Sequence, residues 1–179
     1  GHLIWWSIRE AAPLPLRTIE AHQGWIRAIA INAAGSRLAS VGNDRQIRLW
    51  DVASGEKLAE WSQHEKHIYC VMFHPDGQQL LTGDLAGQIH LWNSSDQQLL
   101  RTFDATSLYS YNAGQRVDFG GVRGLALTPD GSQLLAGGLH KGTNPLGAVH
   151  EPLVLRFNFA DASLMQSHVC DGIPGGVLW

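Results

Sequence analysis

The sequence has few of the residues that mark several large classes of protein. Only 16% of its 179 residues are charged and the net charge is −3, so it lacks the basic excess of a protein dedicated to the phosphate backbone of nucleic acids. No uninterrupted apolar run approaches the roughly 20 residues that span a bilayer. The two cysteines, Cys70 and Cys170, form no CxxC pair and no disulfide framework, which leaves the redox compartment open. We therefore expect neither a nucleic-acid partner nor a membrane span.

The residues that are abundant indicate a folded globular chain. Hydrophobic residues make up 44% of the sequence, which is typical of a packed domain. The sequence enters an apolar, strand-like stretch directly after Gly1 and stops at Trp179 within another apolar run. We therefore expect a piece of a longer chain, whose compartment the sequence does not reveal.

An internal repeat is the strongest feature of the sequence. Residues 22–61 and 64–103 align without a gap, and their His and Trp markers recur 42 residues apart. A period of about 40–45 residues is typical of the four-stranded blades of a β-propeller. The spacing therefore predicts two consecutive blades.

Further copies flank these two. Residues 118–168 repeat the pattern with two insertions, at 105–118 and 139–152. Residues 1–19 match the two outer strands of a preceding blade, and residues 173–179 match the start of a following one. The predicted organisation is thus three blades with partial blades at both ends.

The turns between the predicted strands support an all-β fold. Apolar, β-branched segments in the three copies end in Ala34-Gly35, Asp76-Gly77 and Asp130-Gly131, which is the turn chemistry of tight hairpins. Strand-turn-strand units that recur about every 40 residues indicate a radial repeat. We expect an all-β propeller fragment built from four-stranded antiparallel blades.

A set of four polar and aromatic residues in the first full copy carries a family resemblance. With His22, Ser40, Asp44 and Trp50 at their positions in the repeat, the sequence resembles the WD-repeat family of β-propellers. The resemblance implies that the Trp indole donates to the Ser hydroxyl, that the Ser is bonded to the His, and that the His is held by the Asp. Such a network satisfies every buried polar member.

The later copies depart from this set. The second copy keeps three of the four residues, namely His64, Thr82 and Trp92. Ala86 stands where the first copy has Asp44, and Asp84, two positions earlier, is not expected to replace it. The third copy differs at three of the positions: Asp118, Ala136 and Phe157. Loss of both Ser and Trp is in principle nearly neutral for stability, whereas loss of only one leaves the other without its hydrogen-bond partner.

Two more specific interpretations of these residues, a nucleophilic triad and a metal site, do not fit the expected geometry. The Ser, His and Asp of the first copy have the composition of a nucleophilic triad, but the Ser lies on a central strand beside a Trp donor, with no oxyanion-hole loop. His64, His67 and Cys70 have spacings that a metal site can use, but His67 and Cys70 project from opposite faces of a predicted strand. We assign no catalytic residue, no metal ligand and no cofactor.

The resemblance implies a non-catalytic scaffold that binds proteins or peptides, completed by the remaining blades of a parent chain. In that family, partners commonly contact residues around the start of each first strand and the residue before the turn Asp: Trp25, Arg27, Asn43, His67, Tyr69, Leu85 and Arg123. Aromatic residues and Arg dominate interface hot spots. The alternative is that Trp25 and Tyr69 merely pack against neighbouring loops. Both insertions are expected on the same face.

A second function class stays open. A propeller sensor or enzyme would bind a small molecule or a metal at the channel, with convergent polar residues at the starts of several inner strands. Only His67 and Arg123 are strongly polar there, and they do not form a ligand set. The scaffold interpretation is therefore favoured.

Overall fold

The computed structural model describes residues 1–9, 11–142 and 151–170. Within them the chain forms sixteen β-strands and one short 3₁₀ helix, Thr106–Leu108. Three antiparallel sheets have four strands each, in sequential order. The first sheet contains β3 (Ile26–Ile31), β4 (Arg37–Gly42), β5 (Ile47–Asp51) and β6 (Lys57–Trp61). The second contains β7 (Ile68–Phe73), β8 (Gln79–Asp84), β9 (Gln88–Asn93) and β10 (Leu99–Asp104). The third contains β13 (Val122–Leu127), β14 (Gln133–His140), β15 (Glu151–Asn158) and β16 (Leu164–Val169).

Two smaller sheets have two strands each. One pairs β1 (His2–Ser7) with β2 (Leu14–Glu20), and the other pairs β11 (Tyr109–Asn112) with β12 (Val117–Gly120). The all-β architecture of four-stranded antiparallel blades is confirmed. The predicted start of a further blade at residues 173–179 lies outside the described residues.

The hairpin between the first two strands of each sheet follows the sequence signals closely. In the second sheet, Asp76 Oδ1 accepts hydrogen bonds from the backbone N–H groups of Gln78 and Gln79 at 2.8 and 3.1 Å. Gly77 has a φ of 69°, a left-handed conformation that glycine adopts without steric cost. Asx-type bonds and glycine together therefore fix where β7 ends and β8 begins.

The two central strands of the second sheet alternate their apolar side chains between the two neighbouring sheets. On β8, Leu80 packs into the core shared with the first sheet, while Leu81 packs into the core shared with the third. Both side chains have no exposed surface. Full burial of one such side chain stabilises the fold by roughly 1.5–3 kcal/mol, so the stacked cores hold consecutive sheets face to face.

The strand order separates inner from outer strands. β7 contacts both β3 and β13, so the first strands of the three sheets lie side by side. The fourth strands form the opposite edges, and every residue of β16 is exposed. The segments that lead into the first strands are thereby gathered near one another, at one end of the sheets.

The first insertion is more ordered than a loop. Residues 105–118 form the 3₁₀ helix and most of the β11–β12 hairpin, and Leu108 is buried against β14. The second insertion lengthens the β14–β15 hairpin as far as the His140–Glu151 pair, and residues 143–150 lie outside the described part. His140 Nδ1 donates to the Ser107 carbonyl at 2.8 Å. The described parts of both insertions therefore lie at the same end of the third sheet.

No helix in the described part of the chain is long and apolar enough to cross a membrane.

Candidate functional site

A buried hydrogen-bond network ties the first sheet together. Trp50 Nε1 donates to Ser40 Oγ at 2.9 Å, and Ser40 Oγ lies 2.7 Å from His22 Nε2. His22 Nδ1 lies 2.8 Å from Asp44 Oδ1. Since indole is only a donor, the Ser hydroxyl is free to donate to Nε2, which leaves the proton of the neutral imidazole on Nδ1 facing the carboxylate. The network thus joins β4 and β5 to the segment that precedes β3.

The carboxylate of Asp44 anchors this network at the protein surface. Burial alone raises the pKa of Asp44, but hydrogen bonds from His22 and Arg48 outweigh it and hold that pKa at about 2. Arg48 Nη1 donates to Asp44 Oδ2 at 2.7 Å. Burial lowers the pKa of His22, against the opposing effect of Asp44. At neutral pH the site therefore holds a neutral imidazole beside an ionised carboxylate.

The second sheet has an equivalent network with a different acidic residue. His64 Nε2 lies 2.7 Å from Thr82 Oγ1, which accepts from Trp92 Nε1 at 2.8 Å. His64 Nδ1 lies 2.8 Å from Asp84 Oδ2. The expectation that Asp84 does not replace the turn Asp is wrong.

The register of β8 explains why Asp84 reaches His64. Residues two apart on a strand point to the same face, so Thr82 and Asp84 both face the imidazole. Asp84 pairs with Ile68 as Gly42 pairs with Ile26. A Cβ added to Gly42 would lie 3.4 Å from His22 Nδ1. The carboxylate therefore comes from the end of the strand in the second sheet and from the turn in the first.

The third sheet has apolar residues in place of the network. Ala136 and Phe157 are buried, and Phe157 makes an edge-to-face contact with Phe103 at 5.7 Å between ring centres. Asp118 instead accepts from Tyr109 Oη at 2.7 Å and from Lys66 Nζ at 3.0 Å. The hydrogen bond from Tyr109 is the main cause that lowers the pKa of Asp118, and it raises the pKa of Tyr109 to about 12.

These networks position the surface rather than form a reactive centre. Ser40 and Thr82 have no exposed surface, so no substrate reaches their hydroxyl groups. Asn43, next to Asp44, donates its backbone N–H to the Trp25 carbonyl at 3.0 Å, and Leu85 does the same to His67 at 2.9 Å. In the first and second sheets, the turn between the second and third strands is thus bonded to the segment just before the first strand.

Four of the residues expected to contact a partner form one continuous stack, which we call the stacked row: Trp25, Arg27, Tyr69 and Arg123. The Arg27 guanidinium lies 4.8 Å from the ring centres of both Trp25 and Tyr69. The Arg123 guanidinium lies 3.9 Å from the Tyr69 ring centre. Asn43 Oδ1 accepts from Arg27 Nε at 2.7 Å and fixes the orientation of that side chain.

Comparison with known proteins places the chain. The family model "WD domain, G-beta repeat" matches residues 14–51 and 55–93. The chain belongs to the WD-repeat family. Among its curated relatives, apoptotic protease-activating factor 1 of Rattus norvegicus is 30% identical over 68% of this chain and 10% of its own length. Eukaryotic translation initiation factor 3 subunit I of Aspergillus fumigatus is 28% identical over 80% of this chain and 37% of its own. Periodic tryptophan protein 2 homolog of Schizosaccharomyces pombe is 28% identical over 63% of this chain and 13% of its own.

This WD-repeat chain therefore spans well under half the length of the relatives it matches. WD-repeat domains mediate protein interactions and are in general scaffolds rather than enzymes. The relatives named above share the WD repeat with this chain, but the partners of those proteins are not assigned to it.

A cleft adjoins the stacked row on the same WD-repeat face. It has a volume of about 490 Å³ and lies between the turn that contains Asn43 and Asp44 and the segment that contains Lys66 and His67. His67 is half-buried at its edge. Leu85 lines the cleft but is only 8% exposed, so it offers a partner little surface. No group of three His, Cys, Asp or Glu side chains suited to a metal ion occurs among the described residues.

The structure adds functional features that sequence reasoning missed. The register of each first strand shifts after its first residue, at Arg27, Tyr69 and Arg123. Each of these residues is therefore the extra residue of a β-bulge, which re-aims its side chain. A bulge leaves no signal in the amino-acid composition. The matching positions of Arg27, Tyr69 and Arg123 in the three copies, in contrast, were visible in the alignment.

Proposed function

We propose that this WD-repeat chain is a non-catalytic scaffold that binds a segment of another protein on the face that carries the stacked row, Asn43 and His67. The observation that carries the proposal is the exposure of Trp25, which leaves 69% of its surface open to solvent while Arg27 holds its ring from one side. A large aromatic side chain that is held in place and still exposed offers contact area at low entropic cost.

The composition of the face supports a protein partner. Trp, Tyr and Arg are the residues most enriched at interface hot spots, and here all three types meet in one stack. The adjoining cleft gives an extended segment room for side chains beside the stack. The hairpin of the first insertion stands at the same end and borders the site through the Lys66–Asp118 ion pair.

In this arrangement, three adjacent blades would comprise residues 22–61, 64–103 and 118–168, with residues 1–19 as the outer part of a preceding blade. Further blades, supplied by the parent chain, would complete the ring. The segments before the first strands of all blades would then surround one opening, and the stacked row would form part of its rim.

Affinity capture with the full-length protein tests the proposed function. Trp25→Ala and Tyr69→Ala are expected to lower the recovery of interacting proteins at least several-fold and to leave the melting temperature nearly unchanged. Two controls lie elsewhere: Leu58→Ala, on the exposed outer strand β6, and Gln78→Glu, in the hairpin at the opposite end. Unchanged recovery with both aromatic variants would refute the face assignment, and loss with Leu58→Ala would point to the outer strands instead.

A further inference from the structure

The stacked row brings two positive charges close together on one surface. Arg27 and Arg123 contact the same ring, that of Tyr69, from the strands on either side of β7. Bulges at equivalent positions of three sheets aim these side chains at one another. Like charges at such separations repel each other. A negatively charged group that binds beside both guanidiniums therefore stabilises them electrostatically.

Neither guanidinium is neutralised within the described residues. Among them, no carboxylate forms an ion pair with Arg27 or Arg123, and the one side-chain hydrogen bond of Arg27 is to the neutral Asn43. Two of the three acidic residues that line the cleft have other partners: Asp44 is bonded to His22 and Arg48, and Asp118 to Lys66 and Tyr109. The third, Glu65, is exposed and is paired with neither guanidinium. The terminal N–H groups of Arg27 and Arg123 therefore form no ion pair among the described residues and are available to a partner.

We infer that the segment bound on this face is acidic, and that carboxylates of its Asp or Glu side chains bind Arg27 and Arg123. This inference rests on the proposed function and adds the chemistry of the partner. Guanidinium groups bind carboxylates through paired N–H···O bonds, and a guanidinium already held against an aromatic ring loses less side-chain freedom when it does so.

The same geometry disfavours two other occupants. A methylated Lys of a partner is bound by a cage of several open aromatic faces. In this row only the Trp25 ring is largely exposed, because the Tyr69 ring already has a guanidinium against it from each neighbouring sheet. Single-stranded nucleic acid would need aromatic rings on which successive bases stack, and only the Trp25 ring is largely exposed in this row.

Selection from a random peptide library tests the inference on the full-length protein. Phage-displayed 12-residue peptides are selected at 50 and 150 mM salt, and the recovered pool is sequenced. We expect enrichment of Asp and Glu over the starting library. The double variant Arg27→Gln/Arg123→Gln is expected to remove that enrichment and to weaken binding of the best synthetic peptide at least tenfold. Arg37→Gln, at the opposite end of the first sheet, removes one positive charge elsewhere and is expected to change neither.

The outcomes separate this inference from the proposed function. Recovery of neutral or basic peptides that still depend on Trp25 would overturn the acidic assignment and leave the binding face intact. Recovery of acidic peptides whose binding survives the double variant would also overturn it. Peptides that are insensitive to Trp25→Ala and to the double variant would refute the proposed face itself. A labelled uridine decamer is the nucleic-acid probe, and binding as tight as that of the best peptide would refute the choice of a protein segment.

Discussion

Asp84 and His64 form one of the most deeply buried polar contacts in the described part of the protein. The Asp84 Oδ2 and His64 Nδ1 atoms lie 2.8 Å apart, and the two residues are 1% and 4% exposed. The contact continues through Thr82 to the indole of Trp92. When one member of such a hydrogen-bond chain is removed, the neighbouring buried polar group loses a partner. Burial of that unsatisfied group then destabilises the fold.

Asp84→Ala is therefore expected to destabilise the protein by about 1–3 kcal/mol. The measurement is the free energy of unfolding of the full-length protein in urea. Asp96→Ala, in the exposed turn after β9, is the control and should change it by less than about 0.5 kcal/mol. An equal effect of the two variants would show that Asp84 contributes nothing specific.

A transplant within the second sheet tests the position of the carboxylate. Asp84→Gly combined with Ala86→Asp reproduces the Gly42 and Asp44 arrangement of the first sheet. If the turn and the strand end are equivalent sources of the carboxylate, the double variant recovers most of the stability that Asp84→Gly loses. A double variant no more stable than Asp84→Gly alone would mean that the turn of the second sheet does not reach His64.

The network of the first sheet is expected to respond as a unit. Trp50→Phe and His22→Ala should each cost about 1–3 kcal/mol, because each removes one of the two hydrogen-bond partners of the buried Ser40 hydroxyl. Residues that share a network are not additive, so the double variant should lose less than the sum of the two single losses. Full additivity in urea unfolding would contradict a connected network. Phe157→Trp should bring no gain, since Ala136 offers the new indole no acceptor.

The sequence predicts the features that repeat from sheet to sheet, but not those that depend on a single backbone position. The 42-residue spacing of Trp50 and Trp92 predicts two equivalent sheets, because each indole bonds a hydroxyl on the neighbouring strand of its own sheet. The role of Asp84 was missed because an alignment compares positions along the chain, whereas the carboxylate reaches the same point from a different backbone position. The bulge at Arg27 was invisible because alternation of apolar and polar residues does not reveal one extra residue.

The candidate site likewise has features that can be predicted from the sequence and features that cannot. Trp25 could be identified as exposed from its place before a first strand, and its stacking partners lie at matching positions of the repeat. The burial of Leu85 could not, because it depends on how closely Gly121 approaches its backbone, where an added Cβ would lie 2.6 Å from the Leu85 Cα. The Tyr109–Asn112 and Val117–Gly120 hairpin within the first insertion has a readable pattern, since aromatic and β-branched residues flank a turn that contains Gly114.

Mild acid is expected to destabilise the protein through His90. Burial lowers the pKa of His90 to about 4, and its ring stacks on that of His64 at 4.2 Å between centres. An unfolded chain binds this proton near pH 6.5, so the contribution of His90 to stability is complete above that pH. It declines as the pH falls from about 6.5 towards 4, because the unfolded state then binds more protons.

The variant His90→Phe isolates this effect. A Phe ring keeps the stack on His64 and does not titrate, so the loss of stability between pH 6.5 and 4 should become shallower. Urea unfolding at pH 7.0, 5.5 and 4.5 gives the slope. His168→Gln, on the exposed strand β16, is the matched control and should leave the slope unchanged. An equal slope in the wild type and in His90→Phe would assign the acid response to other groups.

Residues 1–179, expressed as they stand, are expected to self-associate. Several large apolar side chains on β1 and β3 are 45–55% exposed, namely Ile4, Trp6, Ile29 and Ile31. Three of them, Ile4, Ile29 and Ile31, border a groove between β1 and the first sheet. Apolar patches of this kind drive association in water. Light scattering should show oligomers whose mean mass rises with concentration. Ile29→Thr/Ile31→Thr keeps β-branched residues on the strand and should shift the distribution towards monomer, whereas Leu164→Thr on the outer strand β16 should shift it less. A wild-type chain that stays monomeric across a hundredfold range of concentration and melts cooperatively would show that this apolar surface does not drive association.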